Sequence, residues 1–205
     1  VSETARTRTI CEEDALRADL YDFLGVLLAG PPNDDVLSHA RGLTGDETDL
    51  GQAISALSRL ANSTRTAGAA REYNALFIGL GRGELLPYAS YYMTGFLNEK
   101  PLAQLRGDMR RLGIERAENV FEPEDNIASL CEMMAGMVRG RFGGAIDLAT
   151  QKDFFNKHIG PWAGHFFTDL EGAKNSVLYA PVGTIGRVFM EIEREAFRMA
   201  GDAPS

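Results

Sequence analysis

Leu16-Arg17-Ala18-Asp19-Leu20-Tyr21-Asp22-Phe23-Leu24-Gly25-Val26-Leu27-Leu28-Ala29-Gly30-Pro31-Pro32 carries the pattern that decides the fold class. Leu16, Leu20, Phe23, Leu24 and Leu27 recur at steps of three and four residues, which lines them up on one stripe of an α-helix. Gly30, Pro31 and Pro32 end that helix, because a proline ring clashes with the preceding turn and offers no N–H to the ladder. Upstream, Thr9 and Glu12 have the spacing of a capping box, with Ile10 opening the apolar series.

The same period repeats down the chain. A short helix is expected from Asp34 to about Leu43. Another follows from Thr48, with Leu50, Ile54, Leu57 and Leu60 on one face. A fourth runs from Thr64 through Tyr73 and Leu76 to Phe77. Gly79 to Pro87, with glycines at 79, 81 and 83, is a loop. Helix resumes near Ser90. Pro101 opens a further helix that Gly113 closes. Pro123 is read as opening the next, with Glu124 and Asp125 in its first turn, where the helix dipole favours acids. Gly140, Gly143 and Gly144 end it. Helical segments near Ala145–Ile159, Pro161–Leu170 and Tyr179–Arg198 complete the series, with Trp162, Phe166, Val182, Ile185, Phe189 and Ile192 as core. No alternating strand pattern exceeds about four residues. The fold class is all-α, a single-domain helical bundle over residues 1–205, with 1–8 expected to be a flexible N-terminal segment.

Composition narrows the function. The 205 residues carry 21 Lys and Arg against 29 Asp and Glu, a formal charge of −8. Such a composition gives no general attraction to nucleic acid or anionic membranes and favours a basic partner. No apolar run approaches the roughly 20 residues that span a bilayer, so no stable membrane insertion is expected. Cys11 and Cys131 form neither a metal spacing nor a disulfide framework, and a reduced, cytoplasmic setting is the simpler reading. His39, His158 and His165 lack the compact ligand spacing of a zinc site. No metal or cofactor is expected. Gly79, Gly81 and Gly83 invite a phosphate-loop reading, but a helix precedes them and no Gly-Lys-Ser/Thr follows. A nucleotide-binding or hydrolysing enzyme using Gly79–Gly83 therefore stays an alternative, as does a structural helical subunit. Met133, Met134 and Met137 fall on one helix, either as core or as an adaptable peptide surface.

Two segments mix residue types in a way that recognition uses. In the first, Tyr73 and Phe77 lead through the glycine loop to Pro87, Tyr88, Ser90 and Tyr91. Tyrosine combines an apolar face with a hydrogen-bonding tip, which suits peptide binding and equally suits packing a loop on the core. In the second, Glu122, Pro123, Glu124, Asp125 and Asn126 crowd carboxylates at a helix start. This is either ordinary capping or an anionic lip that pairs with arginines on a partner.

These segments resemble a known family. Glu-Tyr-x-x-Leu-Phe-x-Gly-x-Gly at 72–81, Pro-Tyr-x-Ser-x-Tyr at 87–92 and Glu-Pro-Glu-Asp-Asn-Ile-Ala at 122–128, followed by Lys157-His158-Ile159-Gly160-Pro161-Trp162, look like the TorD/DmsD chaperones and their NarJ-like relatives. The resemblance runs from about Leu16 to Phe197. It implies an all-helical cytoplasmic chaperone, not an enzyme. Such a chaperone binds the twin-arginine leader of a molybdenum or tungsten oxidoreductase precursor and holds it until its cofactor is inserted. It is compatible with a monomer or a homodimer. The family's peptide-binding motifs map onto Pro87, Tyr88, Ser90 and Tyr91, and onto Glu122, Pro123, Asp125 and Asn126. Tyr88 stands where many relatives have tryptophan or another aromatic, a mild change. Asn126 stands where they have histidine, which removes a titratable group but keeps hydrogen-bonding capacity. The stretch 97–114 is similar to relatives associated with formate dehydrogenases.

Overall fold

The computed structural model describes residues 11–118 and 120–201. Among them are ten α-helices: α1 Glu12–Ala29, α2 Asp34–Arg41, α3 Asp49–Ser63, α4 Thr66–Tyr73, α5 Ala89–Thr94, α6 Lys100–Leu112, α7 Ile127–Arg139, α8 Leu148–His158, α9 Ala163–Gly172 and α10 Tyr179–Gly201. A π-helical turn, Asn74–Ile78, continues α4. The described residues contain no strand, only one antiparallel bridge between Tyr88 and Asn126. The all-α expectation holds.

Local chemistry sets most boundaries. Asn33, Thr48 and Asp147 accept from the N–H groups of Val36, Gly51 and Thr150, satisfying donors that a helix start leaves without partners. Pro101 lies in the first turn of α6, and Gly113 ends it in the left-handed conformation. α1 begins after Cys11, which makes no side-chain cap. Thr9, half of the expected capping box, lies outside the described residues, as does the 1–8 segment.

α1 lies along α7, α10 packs on α9 and α3, and α2 packs on α3. Gly25 lies at the first contact: a Cβ there would meet the Ala128 carbonyl oxygen at 3.4 Å and the Cys131 Cβ at 3.7 Å, ordinary van der Waals distances. Phe154, Phe155, Trp162, Phe166 and Phe167 fill the centre with Tyr21 and Tyr179. Met133, Met134 and Met137 are buried there too, so the core reading of that trio is the right one. One expectation fails: Ile192, read as core, is 46% exposed.

A buried ion pair joins α1 to α10. The fully buried Glu193 accepts from Arg17 Nε at 2.7 Å, Arg17 Nη2 at 2.8 Å and Tyr21 Oη at 2.9 Å. Complete partnering is what makes a buried carboxylate tolerable. At the other end of α1, Tyr179 Oη donates to the Leu27 carbonyl and Tyr73 Oη to that of Leu28. These tyrosines satisfy carbonyls that the Gly30-Pro31 stop leaves without helical partners.

Candidate functional site

The two sequence motifs meet backbone to backbone. Ala89 N–H donates to the Asp125 carbonyl at 3.0 Å, and Ile127 N–H donates to the Pro87 carbonyl at 2.9 Å. Asp125 Oδ2 also accepts from Ser90 N–H at 2.8 Å, capping α5 from a different segment. Asn126 Oδ1 accepts from Ala128 N–H at 2.9 Å and caps α7. α7 therefore starts at Ile127, not at Pro123. Pro123, Glu124 and Asp125 form the turn before it, because the Asp125 side chain is committed to α5 and Asn126 supplies the cap.

The expected anionic lip is also revised. Asp125 is 1% exposed and Glu124 is 8% exposed. Glu124 Oε2 accepts from Arg106 Nε at 3.0 Å and Nη2 at 2.8 Å, with Arg116 Nη1 3.6 Å from Oε1. Burial alone would raise the Glu124 carboxyl pKa. The hydrogen bond from Arg106 and the nearby arginine charges outweigh it and hold the pKa below the usual range. Neither acid is exposed to a partner; Asp125 Oδ1 is buried without a hydrogen-bond partner. Ser90 is fully buried. Tyr91 faces elsewhere, its hydroxyl accepting from Arg82 Nη2 at 2.6 Å.

The remaining motif residues surround a groove of about 370 Å³. Tyr73, Phe77, Pro87, Tyr88, Glu122 and Asn126 line it. Asp22, Gly25, Val26, Leu28 and Ala29 of α1; Ile78 of the π-turn; Val120; Ala128, Ser129 and Glu132 of α7; and Arg141 just after α7 complete it. Its apolar wall is Val26, Leu28, Phe77, Ile78, Pro87 and Val120, and its carboxylates are Asp22, Glu122 and Glu132. Tyr88 Oη donates to Glu122 Oε2 at 2.5 Å. Burial, then that carboxylate, push the Tyr88 phenol pKa well above its ordinary value, so it stays a donor. The π-turn shapes this wall. Gly79 N–H reaches back to the Asn74 carbonyl at 2.7 Å, and the extra residue in the turn places Phe77 and Ile78 at the groove. Gly79 then turns with φ +62°, where a Cβ would lie 1.9 Å from the Arg82 carbonyl oxygen.

Other motif residues are structural. Glu72 accepts from Val177 and Tyr179 N–H and caps α10. Trp162 Nε1 donates to the His158 carbonyl, and His158 Nε2 lies 2.7 Å from Asp108 Oδ2 on α6. The glycine loop follows a π-turn and not a strand, and the N-terminus of the next helix already carries the Asp125 carboxylate. Among the described residues no group of three or more His, Cys, Asp or Glu is placed to hold a metal ion. No described helix is long and apolar enough to cross a membrane.

The sequence model of the nitrate reductase delta subunit family matches residues 44–168. The chain belongs to this family. The nitrate reductase delta subunit family includes TorD-like chaperones of redox-enzyme maturation. One relative, the chaperone protein TorD of Vibrio cholerae, is 24% identical over 198 residues, covering 87% of this chain and 90% of its own length. The TorD of Photobacterium profundum is 28% identical over 138 residues, covering 60% of this chain and 63% of its own. The fold is shared with the crystal structure of a putative redox enzyme maturation protein from Archaeoglobus fulgidus, with a TM-score of 0.56 and 21% identity over 86% of this chain and 94% of that one. Within the family match lie both motif segments and all the groove residues that they supply.

Proposed function

We propose that this chain is a cytoplasmic maturation chaperone, not an enzyme, that binds the twin-arginine leader of a molybdenum or tungsten oxidoreductase precursor in the groove between α1, the π-turn and α7. It holds the precursor until its cofactor is inserted. A formate dehydrogenase is the client that the resemblance at 97–114 suggests.

The observation that carries this reading is the gathering of Tyr73, Phe77, Pro87, Tyr88, Glu122 and Asn126 around one groove that has an apolar wall and carboxylates along it. A twin-arginine leader has the complementary chemistry: guanidiniums followed by an apolar, helix-forming stretch. The carboxylates take the guanidiniums, and Phe77, Ile78, Val26 and Pro87 take the apolar part. Ser90, Pro123, Glu124 and Asp125 act by holding Tyr88 and Asn126 in place. Tyr91 lies outside the groove and has no part in the contact.

Calorimetric titration with a synthetic leader tests this. Affinity falls as salt rises from about 50 mM to about 500 mM, because exposed charge pairs are screened. A residual affinity persists, because apolar burial is not screened in this way. An affinity that does not change with salt removes the carboxylates from the site.

A further inference from the structure

The groove already holds one arginine, and it belongs to this chain. Arg141 Nη1 donates to Asp22 Oδ1 at 2.9 Å and Nη2 to Asp22 Oδ2 at 2.6 Å. This is the two-pronged fit of guanidinium to carboxylate that gives such pairs their geometric specificity. Both residues line the groove. The pair joins α1 to the turn after α7.

Asp22 has a second partner. Arg139 Nε donates to its Oδ2 at 3.2 Å and also pairs with Asp19. Arg139 does not line the groove, and it ties α7 to α1 through Asp22 and Asp19. The two arginines thus divide the carboxylate: Arg139 shares Oδ2, while Oδ1 accepts from Arg141 alone. The backbone around Arg141 is fixed. Its N–H donates to the Gly136 carbonyl at 2.9 Å, and the Phe142 ring lies so close over Gly136 that a Cβ there would be 2.5 Å from it. The Arg141 side chain is 44% exposed, so it can swing out while the turn stays put. Glu132, one helical turn into the groove from Ser129, adds a carboxylate that attracts the same guanidinium.

We propose that Arg141 is a resident stand-in for a leader arginine: it pairs with Asp22 on the groove wall, and an incoming guanidinium displaces it from Asp22 Oδ1. This rests on the leader-binding reading above. Asp22 is then a guanidinium-binding residue, and Arg141 sets the threshold that a peptide must exceed. A lysine-bearing peptide offers no fork to replace the one it displaces and is disfavoured.

The test is a double-mutant cycle read by calorimetry with two synthetic peptides, one with the arginine pair and one with two lysines. Arg141→Ala frees Asp22 Oδ1 while Arg139 still neutralises the carboxylate. It should bind the arginine peptide about fivefold more tightly than the parent, the scale of one exposed ion pair. It should gain less for the lysine peptide. Asp22→Asn should weaken binding and abolish the gain from Arg141→Ala. Arg141→Gln, which keeps the side chain's length and polarity, repeats the measurement if the alanine variant melts early. If the parent binds the arginine peptide and both Arg141 variants bind it no more tightly, the stand-in is refuted and the leader reading stands. A gain that survives Asp22→Asn refutes the stand-in as well. If neither parent nor variants bind the peptide, both readings fall together.

Discussion

Asp125 Oδ2 accepts a 2.8 Å hydrogen bond from the backbone N–H of Ser90, although 35 residues separate them. This contact, with the two backbone bonds beside it, fixes the segment that carries Tyr88 against the one that carries Asn126.

A first prediction follows from the burial of that contact. Asp125→Ala leaves the Ser90 N–H without its partner inside the protein. Stability falls by about 1–3 kcal/mol, the cost of orphaning a buried polar group. Asp125→Asn retains an acceptor and loses less. Urea denaturation of the two variants measures the difference. An alanine variant as stable as the parent contradicts a structural role for Asp125.

Tyr88 gives the opposite signature. Its side chain is half-buried on the groove and donates through its hydroxyl to Glu122. Tyr88→Ala removes an aromatic anchor from the proposed contact and lowers leader affinity by about 2 kcal/mol, roughly thirtyfold. Tyr88→Phe keeps the ring and loses much less. Titration calorimetry separates the two, and equal affinities for parent and alanine variant remove Tyr88 from the site.

The helices were legible because glycine and proline mark their ends in physical terms. Gly30-Pro31-Pro32, Pro101 and Gly113 each act where sequence reasoning puts them. The start of α7 was misread because Pro123 suits the first turn of a helix and also suits the turn before one. Asn126 followed by Ile127 was the better signal. The π-turn differs from an α-turn by a single inserted residue, too small a change to disturb the apolar spacing from Tyr73 to Phe77. Half of the groove came from motif residues. The other half was hidden: Asp22 reads as one more charge on the solvated side of α1, and its partner Arg141 is 119 residues away. Glu124 and Asp125 look like free acids in sequence, and only the fold brings Arg106 and Ser90 to them.

His158 sets a pH dependence. It is 4% exposed against Asp108 and beside Phe154. Burial lowers its pKa, and the hydrogen bond and charge of Asp108 recover only part of the shift. The unfolded chain takes up a proton near the ordinary histidine value of about 6.5. The folded chain resists doing so until lower pH. The His158 contribution is thus complete above that value and is lost as pH falls through the depressed folded value. Melting temperature should drop on acidification below about pH 6.5, and His158→Gln should flatten that part of the profile. An unchanged profile in the variant assigns the dependence to other groups.

The central claim is that the leader lies in the groove between α1 and the π-turn. Site-specific photo-crosslinking tests it most directly. Val26 lines the groove and is 52% exposed, whereas Leu148, at the start of α8, is 45% exposed and away from it. A photoreactive residue in place of each, irradiated with a precursor that carries the twin-arginine leader, compares two surface positions of similar accessibility. The account predicts a leader adduct at position 26 and little or none at position 148. Adducts of equal yield at the two positions, or an adduct at 148 alone, would contradict it.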